Sequence, residues 1–360
     1  MSDQALSTRK PHPDLLRVVS VFGVLFIHSG THGATLFLHT DSAAEYALSL
    51  FLSMFVRFAV PVFFMISGAL LLGRNEPLRV VLTRRVLRIA VVSLITFAVY
   101  YLMLGVHMGT LSLRAGAVFD FLRSVWTSPL VAPLWYLYAY LAAMLMLPFL
   151  RPLAQGMRTR DFVYLLVLHI LLVCVAPILG TFVFHAPLST FFSIPFATVS
   201  CIFYMLLGYA AEHRVPQSFY TARHTALLFA AAAASSVICG VLTWLVCRRD
   251  GATNEAAVTF MDSMAVFPAA AVYCGARTFF LRRSVSDRAR KILSAAAQNV
   301  FGIYLIEKLL RETLEGIFTR LQPVLTTLPS CFVWLLACFI CGQIIIWLLR
   351  RIPFVRKLIG

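Results

Sequence analysis

Residues 13–29 read PDLLRVVSVFGVLFIHS, an apolar run of membrane-spanning length with Asp14 and Arg17 at its start and a single imidazole, His28, near its end. On a helix the step from Arg17 to His28 is close to three full turns, so the two share one face, roughly 16 Å apart along the axis. One reading has Arg17 snorkelling to the headgroups while His28 is a hydrogen-bonded core residue near the far interface. The other makes the pair functional, because ionisable side chains inside a bilayer are costly and commonly mark a site.

Composition decides the surroundings of this stretch. With 60% hydrophobic and 13% charged residues over 360 positions, and a mean hydropathy of +0.85, the chain is not an ordinary soluble globule. The expected fold is all-α: a polytopic integral membrane protein of one domain, residues 1–360. Scanning for apolar stretches of about 20 residues gives ten predicted spans: 15–36, 47–73, 86–106, 133–154, 161–182, 191–212, 224–247, 256–280, 292–311 and 327–349. No small-residue cleavage site follows the first, which is therefore expected to be retained. Pro61, Pro148, Pro177, Pro195 and Pro268 fall inside spans, where neighbouring groups re-satisfy the freed carbonyls. The segment 113–126 has apolar residues at helical spacing and is expected to lie along the interface.

Charge orients the spans. With a cytoplasmic N-terminus, the inner segments collect the basic clusters at 9–10, 74–88, 158–160, 214–223, 277–291 and 350–357. The outer side receives only Arg114, Arg123, Arg248, Arg249, Lys308, Arg311 and Arg320. That asymmetry is the positive-inside pattern; it accounts for the net charge of +16 without a nucleic-acid partner and puts both termini in the cytoplasm. The cysteines lie almost entirely within spans, where they act as small apolar residues. Cys338-x-x-Cys341 has metal-like spacing, yet no His or second pair accompanies it in its apolar helix, so no metal is expected.

Further polar groups sit in the predicted spans. Arg57, near mid-depth of the second, demands a partner or a water-filled cavity. Ser67-Gly68 near the end of that span offers a hydroxyl and a flexible backbone, or simply permits close helix packing. The ninth span carries Gln298, Asn299, Tyr304 and Glu307. Glu307/Arg311, Lys308/Glu312 and Arg311/Glu315 are i,i+4 pairs suited to a solvated helix end; even so, the depth of Glu307 matches that of His28, so its carboxylate is placed to orient the imidazole or to neutralise Arg57. At the third span Arg85 and Arg88 stand one turn apart, a spacing that serves either orientation or a phosphate-bearing ligand. Pro133-Leu134-Trp135-Tyr136 opens the fourth span and reads alone as an aromatic belt.

Taken together, these pieces resemble the acyltransferase-3 family, ten-span membrane O-acyltransferases that modify bacterial surface glycans. The matching elements are Asp14-Leu15-Leu16-Arg17 with His28, Arg57 with VPVFFMISG, Arg85-x-x-Arg88, LWYLYA at 134–139, FYMLLGYA at 203–210 and FGIYLIE at 301–307. They follow the family's order, and the likeness extends to the enterobacterial common antigen type of O-acetyltransferase. Pro133, Glu307 and Val18 depart from the residues many members carry there, histidine, histidine and glycine respectively. The resemblance implies an acyl-CoA donor, commonly acetyl-CoA, met on the cytoplasmic side of a bacterial inner membrane, and a glycan or lipid-linked saccharide acceptor on the other side. It implies His28 as base, with Arg17 and Glu307 in the catalytic group; Arg85, Arg88, Arg57 and Ser67 serving the donor; and Asp14, Trp135, Tyr136 and Tyr304 near substrate. No permanently bound cofactor is expected. The chemistry agrees, since acyl transfer to an alcohol needs a base of near-neutral pKa and donor groups near the developing oxyanion. No G-x-S-x-G elbow is present to suggest an acyl-serine. A secondary transporter would also carry buried charges in many spans, but it predicts an internal symmetry that the sequence does not display. A non-catalytic partner in an envelope complex is the third class.

Overall fold

The computed structural model describes residues 10–108, 116–250, 260 and 262–359, and among them every regular element is helical. The principal helices are α1 (His12–Ile27), α2 (Ala43–Phe55), α3 (Ala59–Leu71), α4 (Leu87–His107), α5 (Ala117–Thr127), α6 (Trp135–Gly156) and α7 (Thr159–His169). They continue as α8 (Ser200–His213), α9 (Ala222–Asp250), α10 (Val266–Arg282), α11 (Asp287–Leu325), α12 (Thr327–Leu349) and the short α13 (Pro353–Ile359). Six helical runs among the described residues are long and apolar enough to cross a membrane: Ala43–Leu71, Leu78–His107, Ala132–Gly156, Thr159–Phe184, Ala222–Asp250 and Thr327–Leu349. Helices also overlie the other four predicted stretches, but they are shorter or more highly charged.

Several boundaries differ from expectation for identifiable reasons. The first helix stops at Ile27 rather than continuing to 36: Gly30 takes a left-handed φ of 57°, and Ser29 Oγ bonds Phe26 O at 2.7 Å while accepting from Ala34 N at 3.0 Å. His28 is therefore the cap of the helix and not an interior residue. The second predicted span is broken by a 3-10 turn at Val56–Phe58. Pro61 follows, and a proline removes the donor for the carbonyl four residues back, here that of Arg57. Ahead of α4, Val81–Val86 forms a π-turn that carries Arg84 and Arg85, the kind of local widening common at functional sites. Over the sixth predicted span α8 begins only at Ser200, and over the ninth α11 extends to Leu325. At 39 residues α11 is about 58 Å long, well beyond a hydrocarbon core of about 30 Å. Of the predicted interfacial segment, 113–115 lie outside the described residues; the rest forms α5, held to α6 by Tyr138 Oη donating to Val125 O at 2.7 Å.

Helices α3 and α8 pack with almost no space between their backbones. A Cβ on Gly68 would lie 1.8 Å from Met205 O, and one on Gly208 would lie 2.0 Å from Met65 O. Each glycine thus accommodates the other helix's backbone, the small-residue contact by which helices associate where water supplies no drive. This contact fixes the wall of the central cavity on which Ser67 stands.

Candidate active site

A cavity of about 560 Å³ opens between α1, α3, α4, α6 and α11. One end is lined by Arg74, Arg84, Arg85 and Arg88, with Ile359 of α13 beside them; Arg17 and Ser67 also stand on its wall, and His28 lines it too. Trp135, Tyr136 and Tyr304 line it as well, so eight of the sequence-predicted residues meet in one space. Arg17 and His28 share it because a regular helix joins them.

The His28 end is built by α1 and α11. Glu307, 1% exposed, brings Oε1 to 3.1 Å from His28 Nδ1. That approach is off the ring's N–H direction, leaving Nδ1 without an aligned hydrogen bond. Arg311 Nε donates to Glu307 Oε2 at 2.6 Å, and its Nη1 donates to the His28 carbonyl at 2.5 Å. The solvated helix end expected at 307–315 is thus corrected. Lys308 does pair with Glu312, but Glu307 and Arg311 are folded inward, and Glu315 bonds His32 Nε2 at 2.8 Å. The helix runs on to Leu325, so residue 307 is far from its end.

Aromatic rings surround the space. Tyr136 stacks on Tyr140 at 5.6 Å and meets Tyr304 edge-on at 5.5 Å. Tyr304 Oη donates to Pro133 O at 2.6 Å, which ties the start of α6 to α11. Ser67 Oγ donates to Phe63 O at 3.0 Å within its own helix.

At the basic end Glu76, in the 72–77 turn, is the hub. Arg85 donates to it twice, at 2.8 and 2.5 Å, and Arg151 Nη2 at 2.8 Å, with Arg74 at 3.7 Å. The Arg85 hydrogen bonds, backed by those of Arg151, hold the Glu76 carboxyl down to about 2. Arg88 Nε donates to Leu358 O at 2.8 Å, fastening α13 across this end.

Three predicted residues lie off the cavity lining. Asp14 accepts from Arg17 Nη1 at 2.8 Å and so holds a lining residue, as Glu307 does for His28. Arg57 sits on the 3-10 turn and faces Asp262 at 3.3 Å, so it has the partner its depth demanded and does not line the cavity. Sequence reasoning missed Arg74, Arg84, Phe63, Tyr140 and Gln298. The arginines had been absorbed into the orientation count. Gln298, held by Arg350 Nη2 at 2.8 Å, had signalled only as a polar residue in a span.

A half-buried imidazole beside a buried carboxylate at one level and a cluster of guanidiniums at another, inside an all-helical membrane bundle, define a membrane-embedded acyltransferase once the chain's kinship is added. The acyltransferase-3 profile, described as an acyltransferase domain, matches residues 11–347, and the chain belongs to that family. No curated protein and no solved structure matched it.

Proposed function

We propose that this protein is an O-acyltransferase of a bacterial cytoplasmic membrane, moving an acyl group, acetyl in the first instance, from acyl-CoA to a sugar hydroxyl of a cell-surface glycan or its lipid-linked precursor. The observation that carries this reading is the single cavity joining the arginine cluster to His28. Guanidiniums bind phosphates through planar forks, and a pantetheine arm has roughly the reach of the Arg17–His28 step. On the positive-inside reading the arginine end faces the cytoplasm, and His28 lies towards the side from which a glycan hydroxyl arrives.

In the proposed reaction His28 accepts the proton of the sugar hydroxyl as the oxygen attacks the thioester carbonyl. The C–O bond forms, the C–S bond breaks, and the imidazolium returns the proton to the departing thiolate, leaving ester and free CoA thiol. Glu307 orients the imidazole and favours its transient charge. Arg17, steadied by Asp14, and Arg85 and Arg88 hold the anionic part of the donor. Trp135, Tyr136 and Tyr304 shape the space where thioester and sugar meet.

The test is acylation by purified protein in lipid with saturating acyl-CoA. His28→Ala should cost on the order of a hundred- to ten-thousandfold in turnover, the usual worth of a general base, with donor binding retained. Arg17→Ala should raise KM for the donor instead. A His28→Ala enzyme keeping more than about a tenth of wild-type turnover would overturn the assignment.

A further inference from the structure

We infer that Arg311 is a positioning residue for the imidazole, acting through both the backbone and the carboxylate partner of His28; this rests on the reading of His28 as base. Ending α1 at Ile27 frees its last carbonyls, and orphan carbonyls at a helix C-terminus need donors. Arg311 supplies one by donating Nη1 to His28 O at 2.5 Å. The same guanidinium donates Nε to Glu307 Oε2 at 2.6 Å, while Glu307 Oε1 faces His28 Nδ1 at 3.1 Å. One planar fork therefore fixes the peptide that carries the ring and the carboxylate that stands beside the ring. Arg311 is nowhere on the cavity lining, so it acts at one remove.

The charge matters as much as the geometry. The titratable and charged groups on the elements packed about this corner are Glu307, Arg311 and Tyr304 on α11, Tyr100 on α4, which donates to Leu305 O at 3.1 Å, Tyr136 on α6 and Cys338 on α12, whose Sγ reaches Leu310 O at 3.7 Å; Arg17 stands about three turns away on the helix of His28. Glu315 is engaged by His32 one turn further out. Arg311 thus offsets the charge of Glu307, the carboxylate beside the ring. Lysine would preserve that charge but not the fork.

The experiment is the pH dependence of kcat in the full-length protein in lipid. Arg311→Gln should lower turnover by about ten- to a hundredfold, as small misplacements of a reacting group do, with KM for acyl-CoA unchanged. Its acid limb should move to higher pH, because the Glu307 carboxylate then faces the ring without a compensating guanidinium. Arg311→Lys should leave the limb in place and lower turnover, and that loss should be smaller in a Glu307→Gln background, where the carboxylate arm of the fork is already gone and only the His28 carbonyl arm remains to be lost. An unmoved limb in Arg311→Gln would overturn the inference whatever its turnover; should that variant fail to fold, additive losses in Arg311→Lys/Glu307→Gln would do so. An active His28→Ala enzyme overturns this inference together with the function it rests on, whereas an inactive one beside an unmoved limb overturns this inference alone.

Discussion

The basic end of the cavity depends on one acidic side chain. Glu76 collects Arg85, Arg151 and Arg74 in a turn that Arg151 also ties down, through Nε to Leu71 O at 3.1 Å and Nη1 to Glu76 O at 3.2 Å. Its folded pKa, about 2, lies below the ordinary carboxylate range. A lowered carboxylate pKa contributes stability above its unfolded value and loses it as pH falls through the folded one. Wild-type protein and Glu76→Gln should therefore differ in thermal stability by a constant amount from pH 8 to pH 5, the variant melting lower. The gap should close only in more acid solution. Melting curves of both proteins across that range check it, and a gap that closed already between pH 8 and 6 would remove Glu76 from this role. The sequence showed Arg85 and Arg88 as a pair one turn apart, but Glu76 went unremarked, because a single acid in a polar turn has no periodicity to betray it. Arg57 is the converse case. Its need for a partner was legible from depth alone, while the partner, Asp262, is more than two hundred positions away and only folding brings it near.

Among the elements, the α3–α8 pair is the most exacting. Both glycines meet backbone atoms, which cannot swing aside as a side chain would. Gly68→Ala and Gly208→Ala should each destabilise the protein by about 1–3 kcal/mol or more, the ordinary cost of overpacking, and should disturb the cavity wall bearing Ser67. Gly316→Ala, where an added Cβ meets nothing, should be silent by comparison. Thermal unfolding of the three proteins in one detergent distinguishes them, and a Gly68→Ala protein as stable as wild type would contradict the packing described. Element existence was largely legible: the tenth predicted span, 327–349, coincides with α12. What hydropathy could not register were interruptions made by single residues: the left-handed Gly30, the 3-10 turn ahead of Pro61 and the π-turn at 81–86. Two of the three place site residues, His28 and Arg85.

At the scale of the whole molecule, the helices that most resemble spans are not those richest in chemistry. Helices α1 and α11, which supply Arg17, His28, Tyr304, Glu307 and Arg311, fall outside the six long apolar runs, because one is short and the other carries charge along its length. A hydropathy scan weakens where function has inserted polar groups, and the family's motif order is what made the site legible there. The proposed topology has its own check. A single cysteine at residue 285, placed in a cysteine-free background, should be labelled only from the cytoplasmic side, since the 277–291 cluster is the most basic connection in the chain. Labelling from the outside alone would reverse the orientation and with it the side of donor entry. The gathering of Arg74, Arg84, Arg85 and Arg88 at one end of the cavity has a metabolic corollary on the proposed reading. Donor and spent carrier bear the same phosphates and must exchange through the same mouth, so free CoA competes with the next acyl-CoA for those four guanidiniums. Surface modification would then follow the ratio of charged to uncharged carrier in the cell rather than the donor concentration alone, so that the glycan coat records the carbon economy of the cell that built it.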